Sequence, residues 1–202
     1  MKSSAYMLAV SHRNITKMIS AYAVMVKEHL CLGWAGHLIS CLFNQLPGSQ
    51  SEKNSQMKAE IESVYSSFLT RLIRKPRAPD AKLPILLAAP DWPVAKSDKK
   101  QISEIITNNG LHYHGILLIA PPDRHHRLKG PIDQHFLDHH DYYTRGGLLR
   151  SLDAKSFPLA DAEVVTDYAL KGLKTGRIPY EDAMLVLPTN HPRKRPYLKD
   201  AV

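Results

Sequence analysis

Apolar residues recur at three- and four-residue intervals in three stretches of the chain, and these predict helices. The first holds Ile15, Met18, Ile19, Tyr22, Met25, Val26 and Leu30; Asn14 or Thr16 can cap it, and it ends near Gly33. The second starts at Ser51-Glu52, carries Met57, Ile61, Val64, Tyr65, Phe68, Leu69, Leu72 and Ile73, and halts at Lys75-Pro76. The third runs from Leu159 to Lys174, with Asp161 as cap, Val164, Val165, Tyr168, Ala169 and Leu173 as its stripe, and Gly176 as its stop. Shorter apolar runs bounded by turn residues predict strands at Trp34–Leu46, Leu83–Ala89, Leu111–Ala120 and Ala183–Leu187. Lys96 to Thr107 reads as a charged stretch with a short helix, and residues 123–158, polar and rich in His and Gly, as a long loop.

From residue 35 the order is strand, helix, strand, strand, helix, strand. This is the split βαβ, ferredoxin-like arrangement, an α+β fold with helices on one face of an antiparallel sheet. Residues 1–34 form an N-terminal helical extension, 35–189 the domain, and 190–202 a basic, flexible tail containing Arg193, Lys194, Arg195 and Lys199.

Charge and cysteine content narrow the setting. Lys and Arg total 27 against 19 Asp and Glu, a formal charge of +8, which suits a polyanionic partner. Cys31 and Cys41 cannot form a disulfide scaffold and there is no CxxC pair, so a reducing, cytoplasmic compartment is expected. Lys17, Lys27 and Glu28 interrupt the most apolar stretch, which excludes a membrane span there.

Seven of the 11 histidines lie between His112 and His140. In His112-Tyr113-His114 the two imidazoles project from one face of a strand and can share a divalent cation. The run Ile116-Leu117-Leu118-Ile119 marks that strand as central, where two polar rings without a partner are costly. Tyr168 and Lys171 lie three apart and so share one face of the third helix. There the lysine can stabilise a phenolate and the charge developing on whatever the tyrosine attacks.

With these two motifs together the sequence resembles the HUH endonuclease superfamily, which comprises rolling-circle replication initiators, relaxases and single-strand transposases. The resemblance rests on His112-Tyr113-His114-Gly115-Ile116-Leu117-Leu118-Ile119 and on Tyr168-Ala169-Leu170-Lys171-Gly172-Leu173-Lys174. Gly172 stands where two-tyrosine initiators have their second tyrosine, so the similarity is to the one-tyrosine type.

The resemblance implies a nick in single-stranded DNA, or in a DNA hairpin at an origin: Tyr168 attacks a phosphate and Lys171 offsets charge. His112 and His114 would hold Mn²⁺ or Mg²⁺, with Asp91 or Glu104 as the third ligand. His125, His126, His139 and His140 are further residues that could approach the cation. Arg74, Lys75, Lys174 and Arg177 would contact phosphates, while Trp92, Tyr113, Tyr142 and Tyr143 could stack on bases. There is no P-loop motif, so any helicase would be a separate partner. Two alternatives remain open at this stage: a non-catalytic DNA-binding module of the same fold, and a metal-dependent hydrolase unrelated to DNA.

Overall fold

The computed structural model describes residues 3–78, 81–92 and 107–189. Helix α1 (Ser3–Cys31) leads into strand β1 (Ala35–Phe43), helix α2 (Gln50–Leu72) and strands β2 (Ile85–Asp91) and β3 (His112–Ile119). Two short helices, α3 (Ile132–Asp138) and α4 (His140–Thr144), precede strand β4 (Leu149–Phe157). Helix α5 (Ala162–Leu170) passes into a 3-10 turn over Lys171–Thr175, and a one-turn helix, α6 (Tyr180–Ala183), leads to strand β5 (Leu185–Leu187). No helix among the described residues is long and apolar enough to cross a membrane.

The five strands form one sheet in the order β4-β1-β3-β2-β5, every neighbouring pair antiparallel. The first four strands have the split βαβ order, as expected, but the fourth of them is Leu149–Phe157, inside the stretch that reads as a loop in sequence. That stretch also contains α3 and α4. Leu149 and Leu152 are its buried anchors, and the neighbouring side chains of this edge strand are exposed or half-buried. A bulge where β1 meets β4, between Leu42 and Phe43, further breaks the two-residue period.

The helices cover both faces rather than one. Alternation along β3 sends Tyr113, Leu117 and Ile119 into a core with α2, α3 and α4, while Ile116 and Leu118 meet α1 and α5 on the opposite face. Residues Met57, Ile61, Tyr65, Phe68 and Leu72 make the buried stripe of α2. Ser49 caps this helix: its hydroxyl accepts from the Glu52 amide, and the Glu52 carboxylate accepts from the Ser49 amide at 2.7 Å. Helix α1 starts at Ser3, well ahead of the cap expected at Asn14 or Thr16. The expected helix at 96–107 lies outside the described residues except for its last residue, as does the 190–202 tail.

The turn that launches β3 is fixed by Asn108, which is fully buried with φ 55°. Its Nδ2 donates to the Asn44 carbonyl at 2.8 Å, its Oδ1 accepts from the Leu46 amide at 2.8 Å, and its own amide donates to Gln45 Oε1 at 3.0 Å. The end of β1 thus sets where β3 begins, four residues before His112. Asn108→Ala removes these side-chain bonds and places a Cβ residue without compensation at a positive φ. It is expected to cost about 2–3 kcal/mol in urea unfolding. Asn109→Gly, at the exposed neighbour with φ 57°, should change stability by less than about 1 kcal/mol.

Candidate metal centre

Three strands and one helix end converge at the start of β3. In the β2–β3 register Asp91 lies directly opposite His112 and Ala89 opposite His114, so the carboxylate and both imidazoles share the face covered by α1 and α5. On the other side β1 places Ser40 opposite His114. Asp91 is 3% exposed and His114 7% exposed, so the donor atoms are withdrawn from bulk water.

Hydrogen bonds orient both rings. The Nδ1–H of His112 donates to the Gly110 carbonyl at 2.8 Å, which leaves Nε2 of the neutral ring with its lone pair. His114 Nδ1 lies 3.0 Å from Ser40 Oγ. The two Nε2 atoms are 3.1 Å apart, and they lie 3.5 Å (His112) and 3.6 Å (His114) from the same oxygen, Asp91 Oδ2. Burial lowers the His114 pKa to about 4; the nearby His112 and Lys171 act in the same direction and Asp91 against them, so near neutral pH this ring offers a lone pair.

Two nitrogen donors and a carboxylate oxygen, all within 4.8 Å of one another, can hold one metal ion. Imidazole with carboxylate suits Mn²⁺ and also accepts Zn²⁺, Co²⁺ or Ni²⁺. The chemistry of the donors is compatible with the fit: electron-rich atoms brought this close repel unless positive charge or a shared proton lies among them, the Lys171 ammonium reaches Asp91, and burial opposes the second proton that would charge the His114 ring.

The tyrosine motif lies against this cluster. The Tyr168 hydroxyl is 3.5 Å from His114 Nε2, and the two rings are tilted with centroids 5.0 Å apart. Lys171 Nζ lies 2.9 Å from Asp91 Oδ2 and 4.0 Å from the Tyr168 ring centroid. Tyr168 is 43% exposed, while the buried Ala169, Leu170 and Leu173 anchor its helix and the turn that follows. The helix changes at this motif: the α-helical part that carries Tyr168 ends at Leu170 and Lys171 opens the 3-10 turn, which Gly176 closes at φ 62°.

Gly172 makes the close approach feasible. A Cβ there would fall 1.8 Å from the Pro90 carbonyl oxygen and 3.1 Å from Asp91 Cα, so only glycine lets the turn sit on the end of β2. The position that could have carried a second tyrosine is therefore a backbone contact. Sequence reasoning missed Ser40 as a neighbour of the cluster and missed the packing role of Gly172; the strand register and the helix docking that reveal them involve residues far apart in the chain.

Other expected site residues fall elsewhere. Glu104 lies outside the described residues. His125 and His126 sit at the end of α2, where the His125 carbonyl accepts from the Arg74 amide at 2.7 Å and His126 bridges to Ile73. His139 stacks on His135 at 4.4 Å beside α3, and His140 opens α4, so none of these joins the cluster. Arg74 and Lys75 follow the C-terminus of α2; Lys75 lines a cavity with Leu83 at the start of β2, the strand end opposite to Asp91. Lys174 pairs with Asp167, the residue before Tyr168, and Arg177 lies 5.1 Å from the Trp92 ring centroid. Tyr113, Tyr143 and Trp92 are buried, which leaves Tyr142 as the exposed member of the expected stacking set.

Comparison of the chain with models of protein families, with curated proteins and with solved structures finds no match.

The cluster predicts one Mn²⁺ per chain by calorimetry. Alanine at Asp91, His112 or His114 is expected to weaken binding at least about tenfold, whereas His139→Ala leaves it unchanged. Gly172→Ala should destabilise the fold by about 2–4 kcal/mol in urea unfolding, because the turn must leave β2.

Proposed function

We propose that this protein is a metal-dependent, HUH-type single-stranded DNA endonuclease and strand transferase with one catalytic tyrosine, acting in initiation of rolling-circle replication of a plasmid, phage or other mobile element. The observation that carries the reading is Tyr168, a residue exposed over 43% of its surface whose hydroxyl lies 3.5 Å from a histidine of a His–His–Asp donor set. A phenol is a poor nucleophile toward a phosphodiester unless charge on the phosphate is offset beside it, and here the cation site and Lys171 both lie within reach of the ring.

Asp91, His112 and His114 would hold the divalent ion. When bound, Mn²⁺ or Mg²⁺ supplies Lewis-acid polarisation of the scissile phosphate. The Tyr168 oxygen bonds to phosphorus and the bond from phosphorus to the 3′ oxygen breaks. The departing oxygen takes up a proton as a free 3′-OH, and the tyrosyl proton passes to solvent. One phosphodiester is exchanged for another, so a 3′-OH can later reverse the step and rejoin the strand. Ser40 acts as a positioning residue through His114, and Gly172 through the placement of Lys171 and Tyr168.

Lys171 provides positive charge beside Tyr168, Lys174 and Arg177 follow it in the chain, and the net charge of +8 favours DNA overall. The substrate is a single strand or a hairpin at an origin, opened by a helicase from another protein. Cys31 and Cys41 are free thiols, in keeping with the proposed reducing, cytoplasmic setting.

The test is a pool of labelled single-stranded oligonucleotides incubated with the protein and Mn²⁺, then separated on a denaturing gel. A labelled protein band is expected. Tyr168→Phe should abolish it while holding DNA affinity within about threefold, and His114→Ala should reduce it at least about 100-fold. DNA binding without any adduct on a cognate hairpin would instead point to a non-catalytic DNA-binding module.

A further inference from the structure

Asp91 is a buried carboxylate whose side chain is 4% exposed, and the oxygen it turns to His112 and His114 is the same Oδ2 that Lys171 Nζ contacts at 2.9 Å. The ammonium and an ion held by the two imidazoles would therefore share one oxygen atom. Two cations on one carboxylate oxygen repel, and only one of them is free to leave. Asp91 and the histidines are fixed by paired strands, whereas Lys171 sits on a four-carbon stem at a turn, with its side chain 30% exposed.

We propose that Lys171 is a resident cation of this centre: without metal its ammonium neutralises Asp91, and a divalent ion displaces it, so that loading the metal delivers a free ammonium beside Tyr168. The inference rests on the metal-centre reading above and deepens it. Among the described residues the Lys171 ammonium is paired with Asp91 and with no second carboxylate. Asp167, one residue before the tyrosine, already pairs with Lys174. The ammonium lies against the Tyr168 ring, so the anion left for it is the phosphate at the nucleophile. Metal loading and phosphate capture would then reinforce each other, since each favours the lysine leaving Asp91.

The experiment is calorimetric titration of Mn²⁺ into the full chain without DNA, with thermal unfolding alongside. It compares the unmodified protein with Lys171→Met, Lys171→Gln, Lys171→Arg, Lys174→Met and Asp91→Asn. Removing the competitor should tighten Mn²⁺ binding at least about tenfold in the Met and Gln variants. The Arg variant should stay within about threefold and Lys174→Met within about twofold. Metal-free Lys171→Met should melt below the unmodified protein, and Mn²⁺ should raise its melting temperature by more. Equal or weaker Mn²⁺ binding by both Lys171→Met and Lys171→Gln overturns the displacement while leaving the metal centre standing. Absence of Mn²⁺ binding in every protein, the unmodified one included, overturns both. Equal tightening by Lys174→Met would reduce the effect to general charge and also overturn the proposal.

Discussion

The pairing register of β3 between β1 and β2 is the constraint on which the rest of this protein depends. It sets Asp91 opposite His112 and Ser40 opposite His114, and it turns all four polar side chains to one face of the sheet. Side chains alternate with a period of two, so a slip by one residue would send His112 and His114 into the apolar core against α2 and leave Tyr113 on the site face. Two features hold the register. Asn108 ties the turn before β3 to the end of β1 through its side chain and amide, and Gly115 lets β2 pass where a Cβ would fall 2.7 Å from the Leu87 carbonyl oxygen.

The register creates a concentration of polar groups that apolar packing alone cannot satisfy. A carboxylate and two imidazoles lie at the boundary of a core built from Leu87, Ala89, Ile116 and Leu118. A hydrogen bond to a backbone carbonyl defines the tautomer of His112, and the buried ring of His114 resists the second proton that would charge it. Burying such groups costs stability unless a cation joins them. Lys171 supplies one charge, and the arrangement has the form of a site shaped for another. The turn that brings Lys171 continues the helix that brings the Tyr168 hydroxyl, so the ammonium and the proposed nucleophile come from one segment docked by Gly172.

Much of this was legible in the sequence because it follows from local periodicity. The α2 stripe, the β3 strand with its paired histidines, and Gly176 as the end of the tyrosine segment all read directly from spacing. Asp91 was readable as a candidate, with Glu104, only through the resemblance, which expects a third ligand from the strand that pairs with the histidine strand. Leu149–Phe157 was not, since an edge strand with two buried anchors and a bulged partner carries little hydrophobic alternation. Helices α3 and α4 are too short to show a stripe. The covering of the second face by α1 and α5, the role of Ser40, and the removal of Arg74 and Lys75 to the far end of the sheet depend on long-range packing. The amphipathic pattern of one helix does not say which face of a sheet it will take.

An antiparallel sheet that gathers a His–His–Asp set beside an exposed tyrosine makes phosphoryl chemistry on a nucleic acid strand the reading with the fewest unexplained parts. Its central claim is that one cation sits among Asp91, His112 and His114. The most direct measurement is anomalous scattering from crystals of the full chain grown with Mn²⁺. A single strong peak about 2.0–2.3 Å from both Nε2 atoms and Asp91 Oδ2 is predicted. Crystals saturated with Mn²⁺ that show no peak there, with Lys171 still against Asp91, would contradict it.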